Sequence, residues 1–247
     1  RVAFETAMVT LGGHAIFLSS DTTQITRGED LADTAKVLSG MVDIIMMRTH
    51  SHGEIEELAK NSTVPIINGL TEKYHPCQLL ADMQTYHEER GSIEGKTIAW
   101  IGDGCNMCNS YINAAKILNF KLKIATPSGF EPDSKTLSLA KDNVELCDLP
   151  GQAVEDCDLV TTDVWTSMGD ESESEKRKHL FKGYQINQSL FDKAKSDAIF
   201  LHCLPAHRGE EVDAEVIDGP RSRVWQQAHN RLFTSKALIE FLLKESE

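Results

Sequence analysis

The stretch "AIFLHCLPAHRGEEV" places a histidine and a cysteine at the point where an apolar run ends. Residues 198–201 are typical of a buried strand, and His202, Cys203 and Leu204 follow without a spacer. One interpretation is a strand end with a buried thiol. The other is the floor of a pocket, because ligands of parallel α/β sheets bind beyond the carboxyl ends of the strands.

The stretch "YHPCQLLAD" combines a helix start with two side chains that could bind a ligand. Pro76 suits the first turn of a helix, where its missing N–H group has no partner to lose. His75 and Gln78 then lie near the helix N-terminus, where free N–H groups favour an anion or a carbonyl oxygen. The alternative is an ordinary helix start with an incidental histidine.

Two arginines lie near the ends of predicted elements. Arg48, in "IMMRTH", follows a predicted buried strand at residues 43–47, and Arg231, in "AHNRLFT", lies near the start of a long final helix. An arginine can hold a phosphate or a polarised carbonyl with a forked pair of hydrogen bonds. The alternatives are an internal salt bridge for Arg48 and a surface position for Arg231.

The stretch "WIGDGCNMCNS" resembles a dinucleotide-binding turn, but Met107 occupies the position of the third glycine. No acidic residue follows the next predicted strand, so a nicotinamide cofactor is not expected. Cys105 and Cys108 form a C-x-x-C pair without the second pair that zinc needs, and a thiol-redox role stays open. Asn106 could donate hydrogen bonds at the strand end. Asp163, in "TTDVW", is placed for a cationic group.

The elements that must position these residues alternate between helix and strand almost throughout. This pattern predicts βαβ units, parallel sheets and an α/β fold made of two tandem three-layer domains bridged by helices. The polar stretch "GSIEGKT" at residues 91–97 suits a domain boundary. We therefore expect a first domain at residues 1–90, completed by residues 228–247, and a second at 91–227.

The composition of the chain excludes several classes of function. The 247 residues carry a net charge of −13, which argues against a general nucleic-acid or anionic-membrane surface. No apolar run approaches the roughly 20 residues of a membrane helix. Six cysteines in a chain of this length suggest reduced thiols and a cytoplasmic location. The chain begins inside a helical pattern without methionine, so we expect its true N-terminus, and any targeting signal, to be missing.

The motifs "HPCQ", "DVWTSMG", "FLHCLP" and "NRLFT", in this order, resemble those of the ornithine carbamoyltransferases, and the similarity runs over essentially the whole chain. "HPxQ" is shared with aspartate carbamoyltransferases, whereas "HCLP" and "DxWxSMG" are the ornithine-type versions. The resemblance implies a carbamoyl phosphate domain, an ornithine domain, a trimer or a multiple of trimers, and no metal or organic cofactor. It implies carbamoyl transfer to the δ-amine of L-ornithine.

The resemblance also implies roles for individual residues. Its carbamoyl phosphate contacts are Gln24, Arg48, His75, Gln78, Cys203, Leu204 and Arg231, with Cys203 and Leu204 acting through their main-chain carbonyls. Its ornithine contacts are Asn106, Asp163, Ser167 and Met168. Arg48, His75 and Cys203 are the expected catalytic residues, and Gln24 is expected to act across a subunit interface.

The sequence departs from the family pattern at two places. The family's phosphate loop reads Ser-Thr-Arg-Thr-Arg, and Arg1 matches only its last residue. Cys105 occupies a position where asparagine is common. Three alternatives therefore stay open: a carbamoyltransferase for another amine such as putrescine, a catalytically inactive fragment, and a nucleotide or redox module built on "GDGCNMC".

Overall fold

The structure is a computed structural model that describes residues 1–19, 29–166 and 174–244. The chain divides into two compact units, one of residues 1–80 with 231–247 and one of residues 81–230. Both divisions fall inside helices rather than in loops. In the described part of the chain, no helix is long and apolar enough to cross a membrane.

The first unit contains a two-stranded parallel sheet and helices. Its elements are α1 (Val2–Thr10), α2 (Leu31–Ser39), β1 (Ile45–Arg48), α3 (His52–Asn61), β2 (Ile66–Leu70), the first part of α4 (Pro76–Arg90) and the last part of α11 (Val224–Lys244). β1 pairs with β2, and the register shifts between Met47 and Arg48. Asp30 caps α2 by accepting from the Ala32 N–H. Pro76 begins α4, as predicted from the sequence.

One predicted strand of this unit is wrong. The apolar run "HAIFLS" at residues 14–19 predicts a strand, but these residues form neither strand nor helix. Ile16, Phe17 and Leu18 are all more than half exposed. An apolar run forms a strand only where a neighbouring strand satisfies its backbone groups, and none of the described residues pairs with this one.

The second unit is built on a five-stranded, wholly parallel sheet. Its strands are β3 (Thr97–Ile101), β4 (Lys121–Ala125), β5 (Val144–Leu146), β6 (Leu159–Thr162) and β7 (Ile199–His202), in the order β5-β4-β3-β6-β7. Its complete helices are α5 (Asn106–Leu118), α6 (Ser134–Leu139), α7 (Pro150–Val154), α8 (Ser174–Phe181), α9 (Gln188–Phe191) and α10 (Ala214–Ile217). The α/β class with parallel sheets is confirmed.

The strand order places the switch point of the sheet between β3 and β6. The chain moves outwards from β3 through β4 to β5, then returns to β6 on the other side of β3. β6 and β7 are buried along their whole length, as expected for a parallel sheet that is covered on both faces. In open parallel sheets the crevice at such a switch point is where ligands bind.

Candidate functional site

His75 lies directly before α4 and is 9% exposed. Burial, Arg231 and Arg48, in that order of importance, lower the pKa of His75 from 6.5 to about 3. Both arginines favour the neutral ring because they repel a second positive charge. His75 is therefore a neutral imidazole at physiological pH and can donate one N–H to a ligand oxygen.

Gln78 and Arg231 lie beside this histidine in the first unit. An Arg231 guanidinium N–H donates to the side-chain carbonyl oxygen of Gln78, which is 2% exposed. Arg48 is the last residue of β1 and is exposed, which corrects the expectation that it leaves a buried strand. The structure thus brings together four predicted residues, Arg48, His75, Gln78 and Arg231, in an arrangement that favours an anion and a polar carbonyl.

Cys77 lies in the same helical turn but faces the interior. Its thiol donates to the Asn68 carbonyl oxygen at 3.3 Å. Burial raises the pKa of Cys77 to about 11, although Arg231 lowers it in part. A thiol that stays protonated and faces a main-chain carbonyl is a packing residue.

Asp163 follows β6 at the switch point of the second unit. The Val164 N–H donates to Asp163 Oδ1 at 2.7 Å, and the Cys203 thiol donates to the same oxygen at 2.9 Å. The Cys105 thiol approaches Oδ2 at 3.7 Å. Two thiols and an amide thus hold this carboxylate at the carboxyl ends of three neighbouring strands, β3, β6 and β7.

The electrostatics of Cys203 argue against a thiolate. Burial first, and then the charge of Asp163, raise the pKa of Cys203 well above its ordinary value. Burial and Asp163 likewise raise the pKa of Cys105. Both residues are therefore thiols at neutral pH, which suits a role in lining a pocket and not a role as a nucleophile.

The turn after β7 has an unusual backbone. Leu204 adopts φ +57°, a left-handed conformation that a bulky residue rarely occupies. Its N–H donates to His202 Nδ1 at 2.9 Å, and His202 Nε2 lies 3.3 Å from Glu211 Oε1. His202 and Glu211 have fully buried side chains. Non-glycine residues with φ above zero concentrate at ligand sites, where the surrounding structure over-determines them.

Asn106 is the first residue of α5 and is half-buried, close to where the sequence placed it. The turn before it is held by the Trp100 indole N–H, which donates to the Asp103 carbonyl oxygen at 2.9 Å. Gln24, Ser167 and Met168 lie outside the described residues, so their assignments stay predictions.

The sequence did not indicate several buried polar residues of the second unit, which are Asp82, Asp103, Tyr111, Arg177, Glu211 and Gln227. Arg177 lies in the charged stretch "DESESEKRK", and charge runs of this kind usually lie on a solvated surface, yet Arg177 is 8% exposed. No local pattern in the sequence indicated the buried positions of the others.

Two family descriptions together match nearly the whole chain. Residues 1–88 match the carbamoyl-P binding domain of the aspartate/ornithine carbamoyltransferases. Residues 94–242 match the Asp/Orn binding domain of the same family.

Individual relatives are similar over almost the same length. The chain is 58% identical over 243 residues to the ornithine carbamoyltransferase of Nitrosococcus oceani, covering 98% of this chain and 80% of that protein. It is 54% identical over 246 residues to the anabolic ornithine carbamoyltransferase of Pseudomonas aeruginosa, covering 100% of this chain and 81% of that protein.

Solved structures agree with this result. The ornithine carbamoyltransferase of Pyrococcus furiosus has a TM-score of 0.94 and 48% identity, with 99% of this chain and 80% of that chain covered. The enzyme of Burkholderia thailandensis has a TM-score of 0.91 and 50% identity, with 98% and 80% covered. With matched domains along nearly its whole length and relatives at this identity, the chain belongs to the aspartate/ornithine carbamoyltransferase family, as the sequence motifs predicted.

Proposed function

We propose that this chain transfers the carbamoyl group of carbamoyl phosphate to the δ-amine of L-ornithine, giving L-citrulline and phosphate, with the residues described above in defined roles. The observation that carries the residue assignment is the neutral His75 beside Arg48 and Arg231. A neutral N–H donor beside two guanidinium groups suits a ligand that has both a carbonyl oxygen and a phosphate.

The first step is polarisation of the carbamoyl carbonyl. His75 and Arg48 donate to its oxygen, and they stabilise the negative charge that develops as the amine attacks. Arg231 and Gln78 bind the phosphate end and the carbamoyl group near the start of α4. Gln24 is assigned to the same substrate from a neighbouring subunit. Because His75 is held neutral, it enters the reaction as a donor that needs no prior protonation.

The second step is attack by the δ-amine. An amine of this type has an ordinary pKa of about 10.4 and must lose a proton before it attacks. Asp163 holds the α-ammonium group, with Asn106, Ser167 and Met168 as further ornithine contacts. The thiol of Cys203 lines the amine pocket, and desolvation there favours the neutral amine. The main-chain carbonyls of Cys203 and Leu204 accept from the carbamoyl NH₂ group.

The bonds balance without another reactant. The δ-ammonium group first releases one proton to solvent and becomes the neutral amine. Its nitrogen then bonds to the carbamoyl carbon, the bond from that carbon to the bridging phosphate oxygen breaks, and the departing phosphate accepts the second proton, which the nitrogen loses after attack. No covalent bond to Cys203 forms in this scheme. The thiol of Cys203 stays protonated, which is consistent with a pocket lining that does not act as a nucleophile.

We assign carbamoyl phosphate binding to a domain of residues 1–90 with 228–247, and ornithine binding to residues 91–227. The two compact units divide the chain near these bounds, at 80/81 and 230/231. We also propose a homotrimer, or a multiple of trimers, and a cytoplasmic location. The trimer supplies the neighbouring subunit from which Gln24 is assigned to act.

The experiment that tests the ornithine assignment is Asp163→Asn, measured by citrulline formation at saturating carbamoyl phosphate. Loss of one charge-assisted contact is expected to raise the KM for ornithine about 10–100-fold. Asp142→Asn, at an exposed acidic position of the same unit, is the control and keeps the wild-type KM. An unchanged KM in Asp163→Asn would refute the assignment.

A panel of amines separates the alternatives. Ornithine should be carbamoylated in preference to putrescine, because putrescine carries no α-amino acid group for Asp163 and its neighbours to recognise. Faster carbamoylation of putrescine would favour the other carbamoyltransferase. If the chain binds carbamoyl phosphate but forms no product with any amine, the result would favour the catalytically inactive fragment. Stoichiometric nicotinamide nucleotide or zinc in the purified protein would favour the nucleotide or redox module.

A further inference from the structure

A chain of buried hydrogen bonds in the second unit leads to the turn after β7. The Tyr111 hydroxyl donates to Asp82 Oδ2 at 2.8 Å, and Gln227 Nε2 donates to Asp82 Oδ1 at 2.5 Å. The His202 N–H donates to Gln227 Oε1 at 3.0 Å, and the Leu204 N–H donates to His202 Nδ1 at 2.9 Å. Apart from Leu204, every residue of this network is at most 1% exposed.

The direction of the network follows from the chemistry of its first member. A carboxylate only accepts hydrogen bonds, so the NH₂ group of Gln227 must face Asp82. The amide oxygen of Gln227 is thereby turned towards the main-chain N–H of His202, the last residue of β7. A buried carboxylate is unfavourable unless donors surround it, so its presence here needs a compensating structural role.

The turn that the network reaches carries the two carbonyls assigned to the carbamoyl NH₂ group. The peptide planes from Cys203 to Pro205, which follow directly on His202, contain these carbonyls, and Leu204 has a strained φ of +57°. We propose that Asp82 and Gln227 are positioning residues, which hold the main chain at His202 so that the Cys203 and Leu204 carbonyls point at the substrate amide. This inference rests on the proposed function, because that function assigns the amide to those carbonyls.

The first test is to reverse the polarity of the pair. Gln227→Glu places two carboxylates face to face, and kcat is expected to fall about 100-fold, as for a misplacement of about 1 Å. The double variant Asp82→Asn/Gln227→Glu restores a complementary pair, because the introduced amide donates to the introduced carboxylate while its oxygen accepts from Tyr111. This double variant is expected to recover most of the wild-type kcat.

A binding readout separates positioning from general damage. Carbamoyl phosphate has an NH₂ group and inorganic phosphate has none, so only the first ligand senses the two carbonyls. In Gln227→Glu the dissociation constant of carbamoyl phosphate should rise about tenfold, which corresponds to one lost hydrogen bond, while that of inorganic phosphate is unchanged. This ratio is measured by calorimetry without ornithine, so it tests the network even if citrulline formation fails.

The chain offers a matched control in the same unit. Asn230 Nδ2 donates to Thr85 Oγ1 at 2.9 Å, about one helical turn further along the two helices that carry Gln227 and Asp82. Thr85→Val should lower the melting temperature and leave kcat and the ligand ratio unchanged. If Gln227→Glu does not fold, Gln227→Met, which removes donor and acceptor without adding charge, replaces it.

Three results would overturn the inference. The first is a folded Gln227→Glu or Gln227→Met variant with wild-type kcat and ligand ratio. The second is a double variant that regains its melting temperature but not its kcat. The third is an equal loss of affinity for carbamoyl phosphate and inorganic phosphate, which would indicate general damage.

Discussion

At the residue scale, the protonation states of two side chains define what the sites can do. Burial and two arginines keep His75 neutral, and burial beside a carboxylate keeps Cys203 a thiol. Neither residue is therefore an acid–base catalyst that titrates near pH 7. Both act through fixed hydrogen bonds and through the polarity they create around the substrates.

The low pKa of His75 leads to a prediction about how the free energy of unfolding depends on pH. Its pKa is about 3 in the folded chain and 6.5 as the ordinary value, so below pH 6.5 the unfolded chain binds a proton that the folded chain does not. The free energy of unfolding should fall by up to about 1.4 kcal/mol per pH unit between pH 6.5 and 3 from this group alone. Urea unfolding at pH 7.5 and 5.5 should show a smaller difference in His75→Gln than in the wild type. Equal differences in both proteins would contradict the assigned pKa.

The thiol of Cys203 makes a prediction about covalent chemistry. Cys203→Ser keeps a donor to Asp163 and should retain kcat within about tenfold. Cys203→Ala loses this donor and should raise the KM for ornithine above that of Cys203→Ser. Mass spectrometry of the wild type mixed with carbamoyl phosphate should show no carbamoyl adduct. A trapped thioester at Cys203 would overturn the role as a pocket lining.

At the element scale, the turn between β3 and α5 sets the position of Asn106. A backbone bond from the Gly104 N–H to the Phe130 carbonyl oxygen holds the turn at 2.9 Å. A side chain at Gly104 would meet the main-chain nitrogen of Pro132 and would lie 2.6 Å from the Phe130 carbonyl oxygen. The close approach of two backbone segments therefore requires glycine here.

Gly104→Ala should destabilise the chain by about 1–3 kcal/mol through overpacking and should raise the KM for ornithine, because α5 must shift. Gly183→Ala is the control, since a Cβ there meets nothing within 4 Å. Urea unfolding and citrulline assays measure both effects. A Gly104→Ala variant as stable and active as Gly183→Ala would show that the turn can relax freely.

A buried ion pair joins the same turn to α8. Arg177 Nη1 donates to Asp103 Oδ2 at 2.8 Å and to the Trp165 carbonyl oxygen at 2.9 Å, and its guanidinium carbon lies 4.8 Å from the ring centre of Phe130. Both charged side chains are about 10% exposed. These contacts tie residues on both sides of the 167–173 stretch to the end of β3.

Arg177→Met should destabilise the chain by about 3–5 kcal/mol, because it leaves the Asp103 charge buried without its partner. The double variant Asp103→Leu/Arg177→Met removes that charge and should recover part of the loss. Urea unfolding of the three proteins tests this. An Arg177→Met variant no less stable than the double variant would show that solvent reaches the aspartate.

At the scale of the whole molecule, family membership and the α/β class agree between sequence and structure. The positions of Pro76, Asn106, Asp163 and Cys203 at the ends or starts of elements were also predictable, because strand and helix patterns extend over neighbouring residues. The absence of a strand at residues 14–19 was not predictable, because strand formation depends on a partner elsewhere in the chain.

The assembly makes its own prediction. We expect sedimentation equilibrium to give about three times the chain mass of 27.4 kDa, or a multiple of that trimer. The proposed role of Gln24 depends on a neighbouring subunit, so dilution below the dissociation range should reduce kcat. A fully active single chain would contradict both the trimer and this role.

The sequence by itself determined the family, the fold class and the residue types at each strand end, because these depend on local patterns and short motifs. Only the tertiary structure decided that Arg231 and Arg48 act on the pKa of His75, that two thiols approach Asp163, and that Asp82 bonds to Gln227 across 145 positions of the chain. The physical reason is that a buried polar group is stabilised by partners brought to it by packing, and packing joins residues without regard to their distance in sequence.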